Sequence, residues 1–259
     1  MPIAIGEATK VISFIQNKKK KYLFTIRWGV ETDTDDLEGK IIEKSKNRPK
    51  ENEIIAALDF FIGDIYQKPP IFSAIKINGQ RSYKLARKKI HVSHKERLVN
   101  IYDLNLKKII DDDSAEFELI CGKGTYVRSL ARDIAYKLNT KGCVSQLRRL
   151  SVGKFEEKDT IFLDFFKEII HSPAILNKIL PIQTVLDDIP ALVLNEIEAR
   201  QLKQGQKIQL KFLEFKKKFE IKYPNYQKFE KLYVIYNKKP LALIEIKNGV
   251  VKPIRVLNN

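Results

Sequence analysis

Residues that hold metals or form disulfides are scarce in this sequence. Its 259 residues include only two cysteines, Cys121 and Cys143, and three histidines. Two distant cysteines build neither a disulfide framework nor a zinc pattern, and no histidine has a carboxylate or a cysteine at metal-ligand spacing. The sequence therefore predicts a reduced, cytosolic protein that holds no metal.

Long hydrophobic runs are missing as well. No apolar run reaches the length that spans a membrane, and the first residues lack the pattern of a signal peptide. We therefore expect a cytoplasmic protein without a membrane partner. Hydrophobic residues still make up 44% of the chain, which is enough for a packed core and disfavours global disorder.

The charge is strongly unbalanced. Lys and Arg number 48 against 32 Asp and Glu, which gives a net charge of +16. A balance this basic indicates a polyanionic partner, most often nucleic acid. The alternative is a genome rich in lysine and isoleucine codons, so the positions of the charges must decide between the two.

The spacing of apolar residues outlines the first part of the chain. Apolar residues at helical spacing predict a helix near the start, between Ala8 and Ile15. Alternating residues from Tyr22 to Trp28 predict a strand. An acidic turn is expected from Thr32 to Gly39, where three aspartates act as turn formers without the remainder of a calcium loop. A helix is predicted from Glu51 to Phe61.

The second half mixes strands and helices without a regular alternation, so the predicted fold class is α+β. A strand is expected from Phe117 to Cys121, followed by a glycine turn and a helix with Thr125 as its N-cap. Beyond about residue 187 the pattern changes to short strands with turns at Asn237 and Asn248. We predict a catalytic domain over 1–187 and a small β-rich domain over 188–259.

A dense basic stretch runs from Lys76 to Arg97, with Glu96 as its only acid. Cations neutralise phosphates and aromatics stack on unpaired bases, so this mixture suits RNA. The alternative is a solvated helix face. The histidines His91 and His94 are expected to belong to the RNA-facing segment. The candidate RNA-binding residues are Lys76, Arg81, Tyr83, Lys84, Arg87 and Lys88.

Two shorter motifs are ambiguous from the residues alone. In the stretch from Gly122 to Arg128, a Walker-type phosphate loop fails because Gly124 follows Lys123. What remains is a glycine turn before a helix start, where Tyr126 and Arg128 are either a site pair or a packed tyrosine and a surface arginine. The stretch Leu147–Leu150 has two arginines that bind an anion or simply lie at the end of a structural element.

Together these segments resemble the TruB family of tRNA pseudouridine synthases. The resemblance covers the chain to about Lys154, and the region beyond it is similar in character to a PUA-like RNA-binding domain. The matching motifs, in the family's order, are Pro2-Ile3-x-x-Gly6-Glu7-Ala8-Thr9-Lys10, Gly29-x-x-Thr32-Asp33-Thr34-x-Asp36-x-x-Gly39, Gly63-x-Ile65-x-Gln67-x-Pro69-Pro70-x-Phe72-Ser73-Ala74-x-Lys76-x-x-Gly79-x-x-x-Tyr83-x-x-Ala86-Arg87, Cys121-x-Lys123-Gly124-Thr125-Tyr126-x-Arg128 and Leu147-Arg148-Arg149-Leu150.

The resemblance implies isomerisation of uridine 55, in the T loop of tRNA, to pseudouridine, without a metal or cofactor. An enzyme of this kind takes the uridine out of the stack. Tyr22 matches the aromatic that packs on the flipped base, with a core tyrosine as the alternative, and Tyr126 matches the second site aromatic. Arg128 matches the arginine that pairs with the catalytic aspartate, and Leu147 matches a residue lining the uracil pocket. We expect a monomer that binds the T arm of tRNA.

Two departures from the family pattern carry expectations of their own. Lys89 replaces a common glycine, which predicts a different turn geometry after Arg87. The family's nucleophilic aspartate lies in a Gly-x-Leu-Asp-Pro-x-Ala-x-Gly loop, and no such loop occurs in this sequence. We expect a misplaced start, the alternative being a degraded-gene product or a tRNA-binding protein without catalysis. Without the loop, Arg128 would be a partly enclosed cation that lacks the catalytic aspartate as its partner.

Overall fold

The computed structural model of the protein describes residues 2–90 and 92–258. Short 3-10 segments connect several of the regular elements, among them Gly6–Val11 before the first helix and Asp59–Phe61 after the second. The helices are α1 (Ile12–Gln16), α2 (Glu51–Leu58), α3 (Ser82–Arg87), α4 (Val127–Lys137), α5 (Leu163–Ile169), α6 (Gln183–Leu186), α7 (Glu196–Lys203) and α8 (Lys216–Lys222).

The strands agree closely with the alternating stretches of the sequence. The predicted strand from Tyr22 and the predicted strand from Phe117 are both present, each slightly longer than expected. The strands are β1 (Lys20–Trp28), β2 (Val30–Thr32), β3 (Ile41–Lys44), β4 (Gly63–Gln67), β5 (Lys76–Ile77), β6 (Gln80–Arg81), β7 (Arg97–Asp111), β8 (Ser114–Cys121), β9 (Gly142–Val152), β10 (Phe155–Glu156), β11 (Ala191–Val193), β12 (Ile208–Gln209), β13 (Leu232–Tyr236), β14 (Lys239–Lys247) and β15 (Val250–Val256).

The described chain divides into two compact units. The central unit comprises residues 17–159, and the terminal unit combines residues 2–16 with residues 160–258. Residues 160–187 therefore cluster with the C-terminal strands, although their sequence pattern predicts that they belong to the catalytic domain. A functional boundary near residue 187 stays a prediction.

The central unit is built on a six-stranded antiparallel sheet in the order β10-β9-β1-β8-β7-β4. The alternation predicted for β1 places Phe24, Ile26 and Trp28 in the core, where none is more than 2% exposed. Phe24 stacks on Phe117 of β8 with the ring centroids 5.3 Å apart. Helices α2 and α4 contribute to the same apolar cluster, so one face of this sheet is covered by helices.

Helix α4 has the predicted apolar face but a different start. Its N-cap is Tyr126, not Thr125, and the Thr125 hydroxyl instead donates back to the carbonyl of Gly122 at 3.4 Å. The backbone at the helix start is satisfied from another element, because Gln67 at the end of β4 accepts from the Tyr126 N–H at 2.8 Å. Sequence patterns predict local caps, whereas this cap is formed by a residue distant in the chain.

The terminal unit contains the β-rich region that was predicted. Its five strands have the order β11-β13-β14-β15-β12, with β11 parallel to β13 and the other neighbours antiparallel. Helix α7 begins with a capping box between Asn195 and Glu198. The segment before α1 belongs to this unit, since Lys10 donates to the Val256 carbonyl at 2.9 Å.

Candidate active site

Arg128 lies on the first turn of α4 and is held by three acceptors. Its Nη1 donates to the Thr34 carbonyl at 2.8 Å and to Oδ2 of Asp36 at 2.9 Å, and its Nη2 donates to the Phe72 carbonyl at 2.9 Å. The side chain is 24% exposed. Arg128 is therefore not the surface arginine that was the alternative, because the acidic turn supplies Asp36 as an ion-pair partner. Its pairing with the family's catalytic aspartate stays a prediction.

The acidic turn, residues 32–39, is a preformed unit that aims Asp36 at the helix. Thr34 Oγ1 donates to Asp36 Oδ1 at 2.6 Å, and Thr32 Oγ1 donates to the Asp36 carbonyl at 2.6 Å. Asp33 closes the turn by accepting the Lys40 N–H at 2.8 Å. The aspartates are turn formers, as predicted, but Asp36 also serves as an ion-pair partner that the spacing alone did not indicate.

A second arginine repeats this arrangement one helical turn later, and the sequence analysis missed it. Arg132 donates to Oδ2 of Asp35 at 2.9 Å, to the Lys68 carbonyl at 3.1 Å and to Oδ1 of Asp133 at 3.0 Å. Burial raises the pKa of Asp35 to about 6, although Arg132 and Arg128 oppose the shift. The available signal was two arginines at i and i+4 together with two adjacent aspartates.

Gln67 fixes the backbone next to Arg128. Its side-chain amide donates to the Tyr126 carbonyl at 3.1 Å and accepts the Tyr126 N–H at 2.8 Å, and the residue is 1% exposed. The amide of Gln67 thus hydrogen-bonds to both the backbone N–H and the backbone C=O of Tyr126, using one donor and one acceptor of the side chain. The position of Tyr126 is thereby set by the end of β4.

Tyr22 and Leu147 lie on neighbouring strands of the central sheet. In the β1–β9 register Tyr22 is opposite Arg149 and Phe24 is opposite Leu147, so these side chains share one face. Tyr22 is partly buried against the core, which raises the pKa of its hydroxyl. Leu147 is 47% exposed on that face. The Leu147–Leu150 stretch lies inside β9, not at the end of an element.

Two family models together cover most of the described chain. A model of the TruB family pseudouridylate synthase N-terminal domain matches residues 1–127, and a model of the tRNA pseudouridylate synthase B C-terminal domain matches residues 128–187. Among curated proteins, tRNA pseudouridine synthase B of Rhodospirillum rubrum is 42% identical over 258 residues, which span all of this chain and 82% of that protein. The chain belongs to the TruB family.

Further relatives agree with this assignment. The protein of the same name from Ehrlichia chaffeensis is 40% identical over 261 residues, covering all of this chain and 85% of that protein. Solved structures match in fold: a Cbf5–Nop10–Gar1 complex has 18% identity and a TM-score of 0.68, with 97% of this chain and 70% of that chain covered. An H/ACA RNP bound to a substrate RNA containing 2'-deoxyuridine matches with 16% identity and a TM-score of 0.65, over 98% of this chain and 70% of that chain.

These matches confirm the predicted α+β class of a pseudouridine synthase with a small β-rich C-terminal part. The border between the two TruB family models is not a structural one. It falls at residues 127 and 128, inside the first turn of α4, and the apolar cluster of the central unit includes residues from both sides of it. The border between the two models therefore lies within one compact unit.

The basic segment of this TruB-family chain forms a hairpin of β5 and β6 followed by α3. The cations predicted to bind RNA, Lys76, Arg81, Lys84, Arg87 and Lys88, are exposed. Tyr83 is half-buried, with the Arg87 guanidinium 5.6 Å from the centre of its ring. The hairpin thus presents its charges to solvent, and their contact with RNA stays a prediction.

The two histidines of this segment have different outcomes. His94 does not face RNA, because it is 7% exposed and its Nε2 lies 2.9 Å from Ser82 Oγ and 3.4 Å from Ser73 Oγ. It joins the start of α3 to the loop after β4, and burial lowers the pKa of its imidazole. His91 lies outside the described residues.

The turn after Arg87 keeps a geometry that favours glycine, which corrects the expectation drawn from Lys89. Lys89 has a φ of 58°. Its N–H donates to the Ala86 carbonyl at 2.8 Å, and the Ile90 N–H donates to the Leu85 carbonyl at 3.1 Å. These two backbone hydrogen bonds form a Schellman motif, which ends a helix with a residue in the left-handed conformation. The lysine therefore occupies a strained backbone position.

Two classes of feature are absent from residues 2–90 and 92–258. No three of their His, Cys, Asp or Glu side chains are grouped closely enough to hold a metal ion. None of the helices that they form combines the length and apolar character needed to cross a membrane. Neither observation identifies or excludes a reaction at the site around Arg128.

Proposed function

We propose that this protein converts a uridine of tRNA to pseudouridine, at position 55 of the T loop, in the cytoplasm. The observation that carries the proposal is the relation to proteins named tRNA pseudouridine synthase B, together with the arginine of the family motif, Arg128, which is held by Asp36. The reaction detaches the base from its ribose, turns it and rejoins it through carbon. The isomerisation is redox-neutral, so it needs neither an oxidant nor a reductant.

Arg128 is suited to orient a nucleophilic carboxylate. A guanidinium has five N–H donors, and the described bonds to Thr34, Asp36 and Phe72 use three of them. Two donors are therefore left for another carboxylate, which an arginine can bind side-on. The family's nucleophilic loop is not among these 259 residues, so this partner is inferred from the family alone.

The remaining site residues are proposed to hold the flipped base. Tyr22 offers an aromatic ring that packs against the apolar cluster of the central unit. Leu147 supplies an exposed apolar surface on the same face of the sheet. Tyr126 is fixed through Gln67, and it stands one residue before the helix that carries Arg128. Stacking on an aromatic side chain compensates for the base stacking lost on extrusion.

We assign tRNA binding to cations that lie outside the proposed reaction site. The exposed hairpin and α3 supply phosphate contacts for the T arm. In the terminal unit, residues 188–259 are proposed as a second RNA-binding region, supported by exposed lysines around α8: Lys211, Lys217, Lys218, Lys222 and Lys228. We propose that the protein acts as a monomer, which light scattering of the purified protein tests directly.

The reaction is tested with the protein as its own cells make it and a T-arm RNA. Pseudouridine at position 55 is detected by carbodiimide modification and primer extension. Formation of pseudouridine supports the proposal. Binding of tRNA with no pseudouridine after stoichiometric incubation favours the alternative, a tRNA-binding protein without catalysis.

Residue roles are separated by a matched set of variants. Arg128→Ala is expected to abolish turnover with little change in tRNA affinity, because its contacts are made within the site. Lys84→Ala with Lys88→Ala is expected to weaken affinity and to reduce the slope of log affinity against log salt by about 2, roughly one for each lost phosphate contact. Equal losses of affinity in the two cases would refute the role assignments.

A further inference from the structure

Helix α4 clamps two segments of the chain with two arginines. Arg128 and Arg132, one turn apart, each bond one aspartate of the acidic turn and one carbonyl of the loop after β4. The acidic turn contributes the adjacent residues Asp35 and Asp36, one to each arginine. We call the pair of Arg128 and Asp36 the first rung and the pair of Arg132 and Asp35 the second rung. Both rungs join α4 to the same two segments.

The backbone of Asp35 makes this arrangement possible. Its φ is 61°, a conformation that side chains other than glycine rarely adopt. The turn is docked on β9 through the Val144 N–H, which donates to the Asp35 carbonyl at 3.0 Å, and through the Leu37 N–H, which donates to the Val144 carbonyl at 3.1 Å. A left-handed residue between Thr34 and Asp36 lets both carboxylates reach α4.

The two rungs differ in exposure. The side chains of Arg128 and Asp36 are each 24% exposed, whereas those of Arg132 and Asp35 are 15% and 9% exposed. The second rung is therefore the more deeply buried of the two. A role of Arg132 in the reaction must therefore act through Arg128 and not through contact with RNA.

The second rung is an ion pair between two largely buried side chains. Burial raises the pKa of Asp35 to about 6, and the groups that face it are Arg132 and Arg128, which lower the pKa, and Asp133 and Glu31, which raise it. Burial thus opposes the ionised form of Asp35, whereas Asp35 and Asp133 raise the pKa of Arg132 against the effect of burial. A buried ion pair that does not stabilise the fold can still fix geometry.

We propose that Asp35 and Arg132 are a positioning pair that aligns Arg128 for the reaction. This inference rests on the proposed function. Arg132 has a competing partner on its own helix, Asp133, whose Oδ1 already lies 3.0 Å away. When the charge of Asp35 is removed, Arg132 turns to Asp133, the acidic turn loses one of its two clamps, and Asp36 no longer fixes the Arg128 guanidinium.

The test compares two variants that each remove one carboxylate from Arg132. Asp35→Asn is expected to lower kcat for pseudouridine formation about tenfold or more, as small misplacements in a site do, with KM for tRNA unchanged. Asp133→Asn leaves the clamp on the acidic turn intact and is expected to keep the wild-type kcat. The wild-type kcat is expected to fall below about pH 6, and this fall should be absent in Asp35→Asn.

A second readout does not depend on the reaction. In arginine-¹⁵N-labelled protein, rotation of the Arg128 guanidinium is expected to be slow in the wild type and in Asp133→Asn, and fast in Asp35→Asn, with Arg128→Lys used for assignment. Unchanged rotation and unchanged kcat in Asp35→Asn would overturn the proposal. An equal loss of kcat and of folding stability in that variant would also overturn it, since it would show a purely structural pair. If the wild type forms no pseudouridine, the proposed function fails, while the rotation data still decide whether Asp35 orients Arg128.

Discussion

The strained lysine after α3 provides a direct test of the described backbone. Lys88 and Lys89 are adjacent, exposed and identical in side chain, but their backbones differ. Lys88 has a φ of −83°, which any residue adopts, whereas Lys89 has a φ of 58°. Replacing each by glycine removes the same charge and side chain, so the difference between the two variants reports the backbone alone.

The expected magnitudes follow from opposing contributions. A left-handed backbone costs a residue other than glycine about 1–2 kcal/mol, and a glycine loses about 0.5–1 kcal/mol more in conformational entropy on folding. Lys89→Gly should therefore stabilise the central unit by about 0.5–1 kcal/mol. Lys88→Gly has no strain to relieve and should destabilise it by about 0.5–1 kcal/mol.

The single tryptophan makes the measurement specific. Trp28 is 2% exposed in the core of the central unit, so its fluorescence during urea denaturation follows the unfolding of that unit. The free energies of unfolding of the two variants and the wild type are compared on the condition that their m-values, the slopes of unfolding free energy against urea concentration, are equal. Two glycine variants that are equally destabilised would refute the left-handed assignment of Lys89 and the helix end built on it.

Two further predictions concern the acidic turn. A Cβ on Gly39 would lie 2.9 Å from the Thr34 backbone nitrogen and 2.2 Å from Thr34 Oγ1, so Gly39→Ala should destabilise the central unit by about 1–3 kcal/mol. The control is Gly122→Ala, because a Cβ on Gly122 has its nearest neighbour 3.5 Å away. Equal losses of unfolding free energy in the two variants, measured by urea denaturation, would contradict the close approach at Gly39. For Asp35, the native pKa is raised from 3.8 to about 6, so the native state binds a proton more tightly and the stability contributed by this group falls as the pH rises through that interval. Relative to the wild type, Asp35→Asn should gain about 2 kcal/mol between pH 4.5 and pH 7.5, followed by the fluorescence of Trp28, and a pH-independent difference would argue against the raised pKa.

The residues proposed for the site could be selected from the sequence because they lie in short motifs. The motif from Cys121 to Arg128 joins a strand to a helix, and local alternation and helical spacing predict both elements. The predicted face of β1 is also correct, since an alternating pattern fixes which side chains are buried. Family membership needed only these motifs and their order.

The errors concern contacts between segments that are distant in the chain. Thr125 is a reasonable N-cap by local rules, yet Gln67, 59 residues away, completes the helix start. His94 was assigned to an RNA-facing segment on the basis of charge, but two serines bury it. Spacing along the chain does not carry this information, because such contacts depend on how β4 and α3 pack.

The amino-acid sequence by itself determined the family and the α+β class, because these depend on motifs and residue patterns at short range. It also singled out Arg128, whose role in the reaction stays a prediction. The tertiary structure alone decided what Arg128 contacts. Asp36 reaches it from 92 positions away, and Asp35 becomes a buried partner of Arg132 only because a left-handed backbone turns it toward α4. Burial then raises the pKa of Asp35, an electrostatic property that no local pattern of acidic residues contains.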